Sequence, residues 1–261
     1  MKPETGQTVV FIGSGNVATH LAMPLKNAGM DITTIWSPGK KNRETLAAYT
    51  NSLAAKTLND IDKNADFYII AVSDDKISAV VQAMPEVSGI VAHTSGITPL
   101  KTISERFENS GVFYPLQTFS KARQVSTSDI PFCIEGNNSK SFQSLSILAQ
   151  SISTHVFNIN TEERMKLHLA AVFVSNFVNN LYLSAEELLL KEGLPFDLLK
   201  PLIEEVASKV MNLSPQEAQT GPARRNDLNT IARHEKMLQN HPGQMELYKL
   251  FTKQIINRYH E

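Results

Sequence analysis

Val9-Val10-Phe11-Ile12-Gly13-Ser14-Gly15-Asn16-Val17-Ala18 decides the reading of this chain. A short apolar run of strand character ends in Gly-x-Gly-x-x-Ala, and a helical pattern follows. In such a strand–turn–helix, Gly13 makes the tight turn and Gly15 lets the backbone approach a pyrophosphate. Ala18 is small enough for helix and strand to pack closely. The phosphates of a dinucleotide would rest on the free amides at the helix start, where aligned peptide dipoles favour negative charge. Gly13, Ser14, Gly15, Asn16 and Val17 are therefore the expected cofactor-binding turn. A lone glycine-rich match is weak; the strand before it and the helix after it supply the context. Pro24 falls within that helix, where it removes the hydrogen bond to the His20 carbonyl and predicts a kink beyond the turn.

Outward from the turn, apolar runs at residues 32–36, 67–72, 90–93, 112–114, 132–134 and 156–159 read as further strands. Several are apolar on both faces, as in a sheet covered by helices on either side. Helical stretches fall between them, at about 43–49, 77–83, 103–107 and 142–152. The alternation predicts a doubly wound, mostly parallel Rossmann sheet over residues 1–160. From Thr161 onward the strand signal stops, and residues 161–261 read as an all-helical C-terminal domain. Asn160 or Thr161 can cap its first helix, with Glu162 and Glu163 in the first turn. Gly193 and Pro195 stop that helix. Its middle, residues 169–177, is apolar nearly all round and is expected to be buried, by other helices or by a second subunit.

Composition sets the outer limits. The 261 residues hold 25 Lys+Arg against 26 Asp+Glu, which argues against a nucleic-acid binder held by a broad basic surface. Cys133 is the one cysteine, which excludes an intrachain disulfide and favours a reducing, cytoplasmic setting. No run approaches the ~18–20 apolar residues of a membrane span, and the polar N-terminus does not read as a signal peptide. The histidines form no metal-ligand cluster. Nucleophile-elbow and phosphate-loop motifs are absent, which sets hydrolase and nucleoside-triphosphatase chemistry aside.

The second strand should end near Trp36. NAD-specific folds place Asp or Glu there to hold the ribose hydroxyls. This chain reads Trp36-Ser37-Pro38-Gly39-Lys40-Lys41-Asn42-Arg43 instead, without an acid. Ser37, Lys40 and Arg43 are the expected holders of an adenosine 2′-phosphate, so the cofactor is expected to be NADP.

Other motifs extend the reading: Ala71-Val72-Ser73-Asp74-Asp75, His93-Thr94-Ser95-Gly96, Tyr114-Pro115-Leu116-Gln117-Thr118-Phe119, the segment 168–176, and Thr220-Gly221-Pro222-Ala223-Arg224-Arg225-Asn226-Asp227. Together they resemble a family of NADP oxidoreductases with a Rossmann-like first domain and a C-terminal helical domain of uncharacterised function. The group is similar in layout to pyrroline-5-carboxylate reductases, ketopantoate reductases and 6-phosphogluconate dehydrogenases, whose C-terminal domains are helical in the same way. The resemblance covers nearly the whole chain and implies a reductase, but the family supplies no substrate. Two positions depart from it: Tyr114 stands where the family has His, and Asn226 where it has Gly.

Val72, Ser73, His93 and Thr94 end strands, at the edge where a dinucleotide lies, and are expected to contact it. Ser95 could hydrogen-bond the nicotinamide or substrate, and His93 could donate a proton, unless it is a packed core histidine. His168 and Asn176 are polar groups in an apolar helix; they serve either the site or cross-helix hydrogen bonding. Arg225 could clamp a substrate carboxylate or simply face Asp227, while Asp227 reads as a helix cap and His234 as structural. Asp74 and Asp75 read as caps of the helix after Ser73. The expected protein is thus an NADP(H)-dependent oxidoreductase of a small carbonyl or imine metabolite, a homodimer through its helical half, with no nucleic-acid or membrane partner. The alternative is a non-catalytic NADP-binding regulatory or structural protein on the same fold.

Overall fold

A computed structural model describes residues 6–260. The reading of the N-terminus rests partly on residues 1–5, which lie outside the described residues. The chain divides into two compact units, Met1–Asn176 and Phe177–Glu261.

The first unit is built on an eight-stranded sheet: β1 (Thr8–Ile12), β2 (Asp31–Trp36), β3 (Leu53–Ala55), β4 (Phe67–Ile70), β5 (Ile90–His93), β6 (Ser110–Pro115), β7 (Phe132–Gly136) and β8 (Val156–Asn158). Their order is β3-β2-β1-β4-β5-β6-β7-β8. All pairings are parallel except β6 with β7. Val9–Ile12 and Phe67–Ile70 are buried on both faces, which is why they read as continuous apolar runs. Helices α1 (Asn16–Asn27), α2 (Lys40–Thr50), α3 (Asp74–Ala83), α4 (Lys101–Ser104) and α5 (Ser139–Gln150) follow the strands. Core side chains gather on both faces, one set around Phe11, Leu21 and Phe67, the other around Ile12, Tyr68 and Ile70.

Strand order reverses between β1 and β4. In a doubly wound sheet the helices on either side of such a point leave in opposite directions, and a crevice opens beyond the strand ends. Helix α1 continues through Pro24 to Asn27. The short edge strand β3 was not read from the sequence, because Leu53-Ala54-Ala55 is too brief to show a period.

Helix α6 (Thr161–Val172) belongs to the first unit and begins with a reciprocal cap: Asn160 accepts from the Glu163 amide while the Glu163 carboxylate accepts from the Asn160 amide. The expected single helix to Glu192 is interrupted by a π-turn, Phe173–Phe177, before α7 (Val178–Lys191). The expected burial of residues 169–177 within the chain is not found, since Leu169 is 60% and Val174 75% exposed. The second unit holds α7, α8 (Lys200–Asn212), α9 (Pro215–Ala218), α10 (Leu228–Met237) and α11 (Pro242–His260). Asp227 caps α10 by accepting from the Thr230 amide at 3.0 Å. Asn226 adopts a left-handed φ of 54°, a conformation that asparagine tolerates next best after glycine. That accounts for asparagine where the family has glycine.

Among the described residues no helix is long and apolar enough to cross a membrane, and no group of His, Cys, Asp and Glu could hold a metal ion.

Candidate active site

At the point of strand reversal, the turn after β1 meets the segment after β4. Gly13 has φ 123°, and a Cβ on it would lie 2.2 Å from the Ala71 carbonyl oxygen. Only glycine fits. Nothing lies within 4 Å of where a Gly15 Cβ would project, so the backbone at the start of α1 is open to a ligand. No side chain caps α1, and no acidic residue occupies its first turn, which leaves its amides and dipole to an incoming anion.

A cavity of about 590 Å³ opens there, lined by the Gly13–Gly15 turn, the Trp36–Gly39 loop, Asn42, the Ala71–Ser73 segment and Lys76. This is a cradle of the kind a dinucleotide needs, and the residues present fit one. Ser37, Val72 and Ser73 are among the residues that line it. Asn42 and Lys76 were not foreseen: each lies on a helix after the strand end, where sequence gives no sign of which way a polar side chain turns.

The basic loop is arranged differently from expectation. Arg43 is turned inward, 8% exposed, and its Nη1 donates to the Ser37 carbonyl at 2.8 Å. It shapes the loop. Lys40 is exposed and faces Glu44 at 4.0 Å, and neither residue lines the cavity. Asp74 and Asp75 sit in the first turn of α3, but Ser73 holds the cap position and no side-chain cap forms.

His93 does not suit proton transfer. The ring is 0% exposed, and its Nδ1 accepts from the Ser95 amide at 3.2 Å. Burial, reinforced by the nearby Arg164 cation, pushes its pKa down to about 3, so it is a neutral core residue. Neither can a sealed ring touch a cofactor. Thr94 donates to the Ile70 carbonyl, and the Ser95 hydroxyl accepts from the Ile97 and Thr98 amides. With 8% and 4% exposure, both side chains organise the turn after β5.

A second cavity of the first unit, about 580 Å³, is lined by Tyr114, Gln117, Thr118, His168, Ser175 and Asn176 among apolar neighbours. On a regular helix Asn176 would lie about 80° from His168. The π-turn advances each residue by less than the usual angle, which brings Asn176 round toward the His168 face. Tyr114 Oη lies 3.0 Å from His168 Nδ1. Burial, with the Cys133 thiol and Asp74 carboxylate adding to it, pushes the Tyr114 hydroxyl up to about 12.

The segment between β6 and β7 ties the two cavities together. Asn16 Nδ2 donates to the Phe119 carbonyl at 2.8 Å, and Lys121 donates to the Ser14 carbonyl at 3.1 Å. His20 stacks on Phe119 and lies 3.0 Å from the Arg123 carbonyl. Phe119 also lines the second cavity. None of these contacts was legible in sequence, because they join residues 99–107 positions apart.

Arg164 was missed as well. It is 0% exposed and pairs with Glu135 at 2.5 Å, while a second nitrogen donates to the Thr98 carbonyl. Its sequence position, in the first turn of a helix beside Glu162 and Glu163, does not distinguish it from a surface charge. Cys133 is buried, and its thiol is pushed up to about 11 by desolvation, which keeps it unreactive.

Thr220 and Arg225 belong to the second unit. Thr220 lines a cavity of about 400 Å³ there, together with His234 and Tyr248. His234 hydrogen-bonds the Tyr248 hydroxyl at 3.0 Å, in keeping with a structural role. Arg225 ends a 3₁₀ turn, Ala223–Arg225.

Comparison with known proteins agrees with this geometry. Residues 8–92 match the family described as NADP oxidoreductase, coenzyme F420-dependent, and residues 130–255 match a domain of unknown function. No curated protein sequence matches the chain. A Bacteroides fragilis protein described as a "putative NADP oxidoreductase" is 38% identical, covering 97% of this chain and 98% of its own, with a TM-score of 0.90. An imine reductase from Myxococcus stipitatus in complex with NADP+ shares the fold at 14% identity, with 97% and 100% coverage and a TM-score of 0.66. A 1-pyrroline-5-carboxylate reductase from Streptococcus pyogenes shares it at 13%, with 97% and 98% coverage and a TM-score of 0.65. With the B. fragilis protein matched end to end, the chain belongs to the NADP oxidoreductase family that joins a Rossmann-like domain to this C-terminal helical domain.

Proposed function

We propose that this protein is an NADP(H)-dependent reductase of a small carbonyl or imine compound. The observation that supports it most is the cavity at the strand reversal, whose Gly13–Gly15 turn and acid-free Trp36–Asn42 border suit a phosphorylated dinucleotide. The open amides of Gly15, Asn16 and Val17 would hold the pyrophosphate. Ser37 and Asn42 would face the adenosine ribose, with Lys76 supplying positive charge. Arg43 would act on the 2′-phosphate through the Ser37 loop that it holds, and Lys40 from solvent. When bound, the cofactor supplies the hydride.

The substrate would occupy the cavity beside Gln117, His168 and Asn176. His168 would donate a hydrogen bond to the substrate oxygen or nitrogen, stabilising the charge that hydride addition develops there, while Asn176 would orient that atom and water in the cavity would supply the proton. A purely regulatory NADP-binding role has no observation in its favour beyond the fold.

The active form would be a homodimer. Ala223, Ile231 and Leu238 are the buried apolar residues of the second unit among those described, too few for a core of its own. Leu202, Val206 and Val210, spaced four apart on α8, are 45–59% exposed. A stripe of that spacing suits a helix of a second copy. The lone, buried Cys133 fits a reducing cytoplasm.

Steady-state oxidation of NADPH against a panel of aldehydes, ketones and cyclic imines tests the reading. Turnover of at least one compound, abolished in His168→Ala with NADPH binding retained, is expected. Saturable NADPH binding without turnover of any compound would favour the regulatory role instead.

A further inference from the structure

His168 is gripped from two sides. A Cβ on Gly96 would lie 2.4 Å from His168 Nδ1 and 2.6 Å from Cγ, so the turn after β5 packs its bare backbone against the imidazole edge. From β6, Tyr114 meets the ring in an edge-on arrangement, with centroids 6.0 Å apart, and places Oη 3.0 Å from the same Nδ1. Tyr114 is 8% exposed. A hydroxyl so enclosed needs an acceptor for its proton, since an unsatisfied buried donor is costly. Among the described residues, His168 Nδ1 is the one hydrogen-bonding partner given to it. With Nδ1 as the acceptor of that proton, Oη donates and the ring hydrogen is left on Nε2.

We propose that Tyr114 and Gly96 are positioning residues that hold the His168 imidazole as its Nε2–H tautomer, with that hydrogen directed to the substrate heteroatom. The inference rests on the reading of His168 as the hydrogen-bond donor to the substrate heteroatom. It adds what that reading lacks, namely the cause of the donor's orientation. It also gives a use to the tyrosine at position 114, where the resemblance led to histidine. A histidine there would compete for the same proton; a phenol fixes its direction.

Nitrogen NMR of protein carrying ¹⁵N-labelled histidine, recorded at pH 8, reads the tautomer directly, with His168→Gln assigning the signals. The wild type should show His168 in the Nε2–H form. Tyr114→Phe removes the donor and should shift the ring to a mixture containing Nδ1–H. Gly96→Ala keeps the phenol but displaces the ring, and should alter the same signals. A wild-type His168 found as Nδ1–H, or one unchanged in both variants, overturns the proposal. With any compound that the wild type reduces, Tyr114→Phe should lower kcat about tenfold, with KM and NADPH affinity nearly unchanged. A fall in kcat that merely follows the folded fraction would count against it. If no compound is reduced, the reductase reading fails, while the tautomer measurement still judges this proposal alone.

Discussion

Arg164 and His93 lie within one electrostatic neighbourhood, and each makes a testable demand on stability. The Arg164–Glu135 pair is almost wholly withdrawn from water, and Thr161 gives the carboxylate further hydrogen bonds. Removing one partner leaves the other charge buried, which costs about 3–5 kcal/mol. Glu135→Gln should therefore lower the thermal midpoint by several degrees in calorimetry; an unchanged midpoint would mean that the pair is solvated. His93 is held neutral down to about pH 3 against an ordinary value of 6.5. Between these values the unfolded chain binds a proton that the native protein does not, so stability falls as pH falls below about 6.5. The slope is at most about 1.4 kcal/mol per pH unit. Urea titrations at several pH values should show a shallower acid decline in His93→Gln than in the wild type; parallel declines would contradict the buried, neutral ring. At this scale sequence reading matched the structure where backbone geometry dictates the residue, as at Gly13, and did not foresee the inward packing of His93, Thr94, Ser95 and Arg43. Those four were chosen for their chemistry at a strand end, but whether such a side chain turns inward depends on neighbours distant in sequence.

Elements were legible in proportion to their regularity. The strand–turn–helix at residues 8–27 was read from its own pattern, as were the cap at Asn160 and the cap at Asp227. The π-turn at Phe173–Phe177 was not, because one extra residue in a helix leaves the apolar composition intact while rotating everything after it. The strap between β6 and β7 escaped for another reason: its residues carry no period, and its hold on α1 is made by backbone carbonyls. Phe119→Ala removes the stacking on His20, worth roughly 0.5–1.5 kcal/mol. Amide exchange across residues 117–125 should then quicken several-fold while the sheet stays protected. Unchanged exchange would show that the strap is fixed by other contacts.

For the whole molecule, the change from alternating strands and helices to helices alone follows Asn158, close to the expected position, whereas the compact units divide later, at Asn176. Helix α6 thus brings His168 into the unit that holds the strand-reversal cavity, and chain order alone does not reveal that. The homodimer proposed through the apolar stripe of α8 should be present at micromolar concentration in sedimentation. Leu202→Asp with Val206→Asp should yield monomers, and a monomeric wild type would contradict that assembly.

The central claim is that the strand-reversal cavity takes NADP(H) in preference to NAD(H). Titrating the protein with NADPH and NADH side by side, by calorimetry, tests it most directly. The account predicts saturable NADPH binding at least tenfold tighter than that of NADH, a difference of about 1.4 kcal/mol, and its loss in Gly15→Asp. Equal affinity for the two cofactors, or saturable binding of neither, would contradict it.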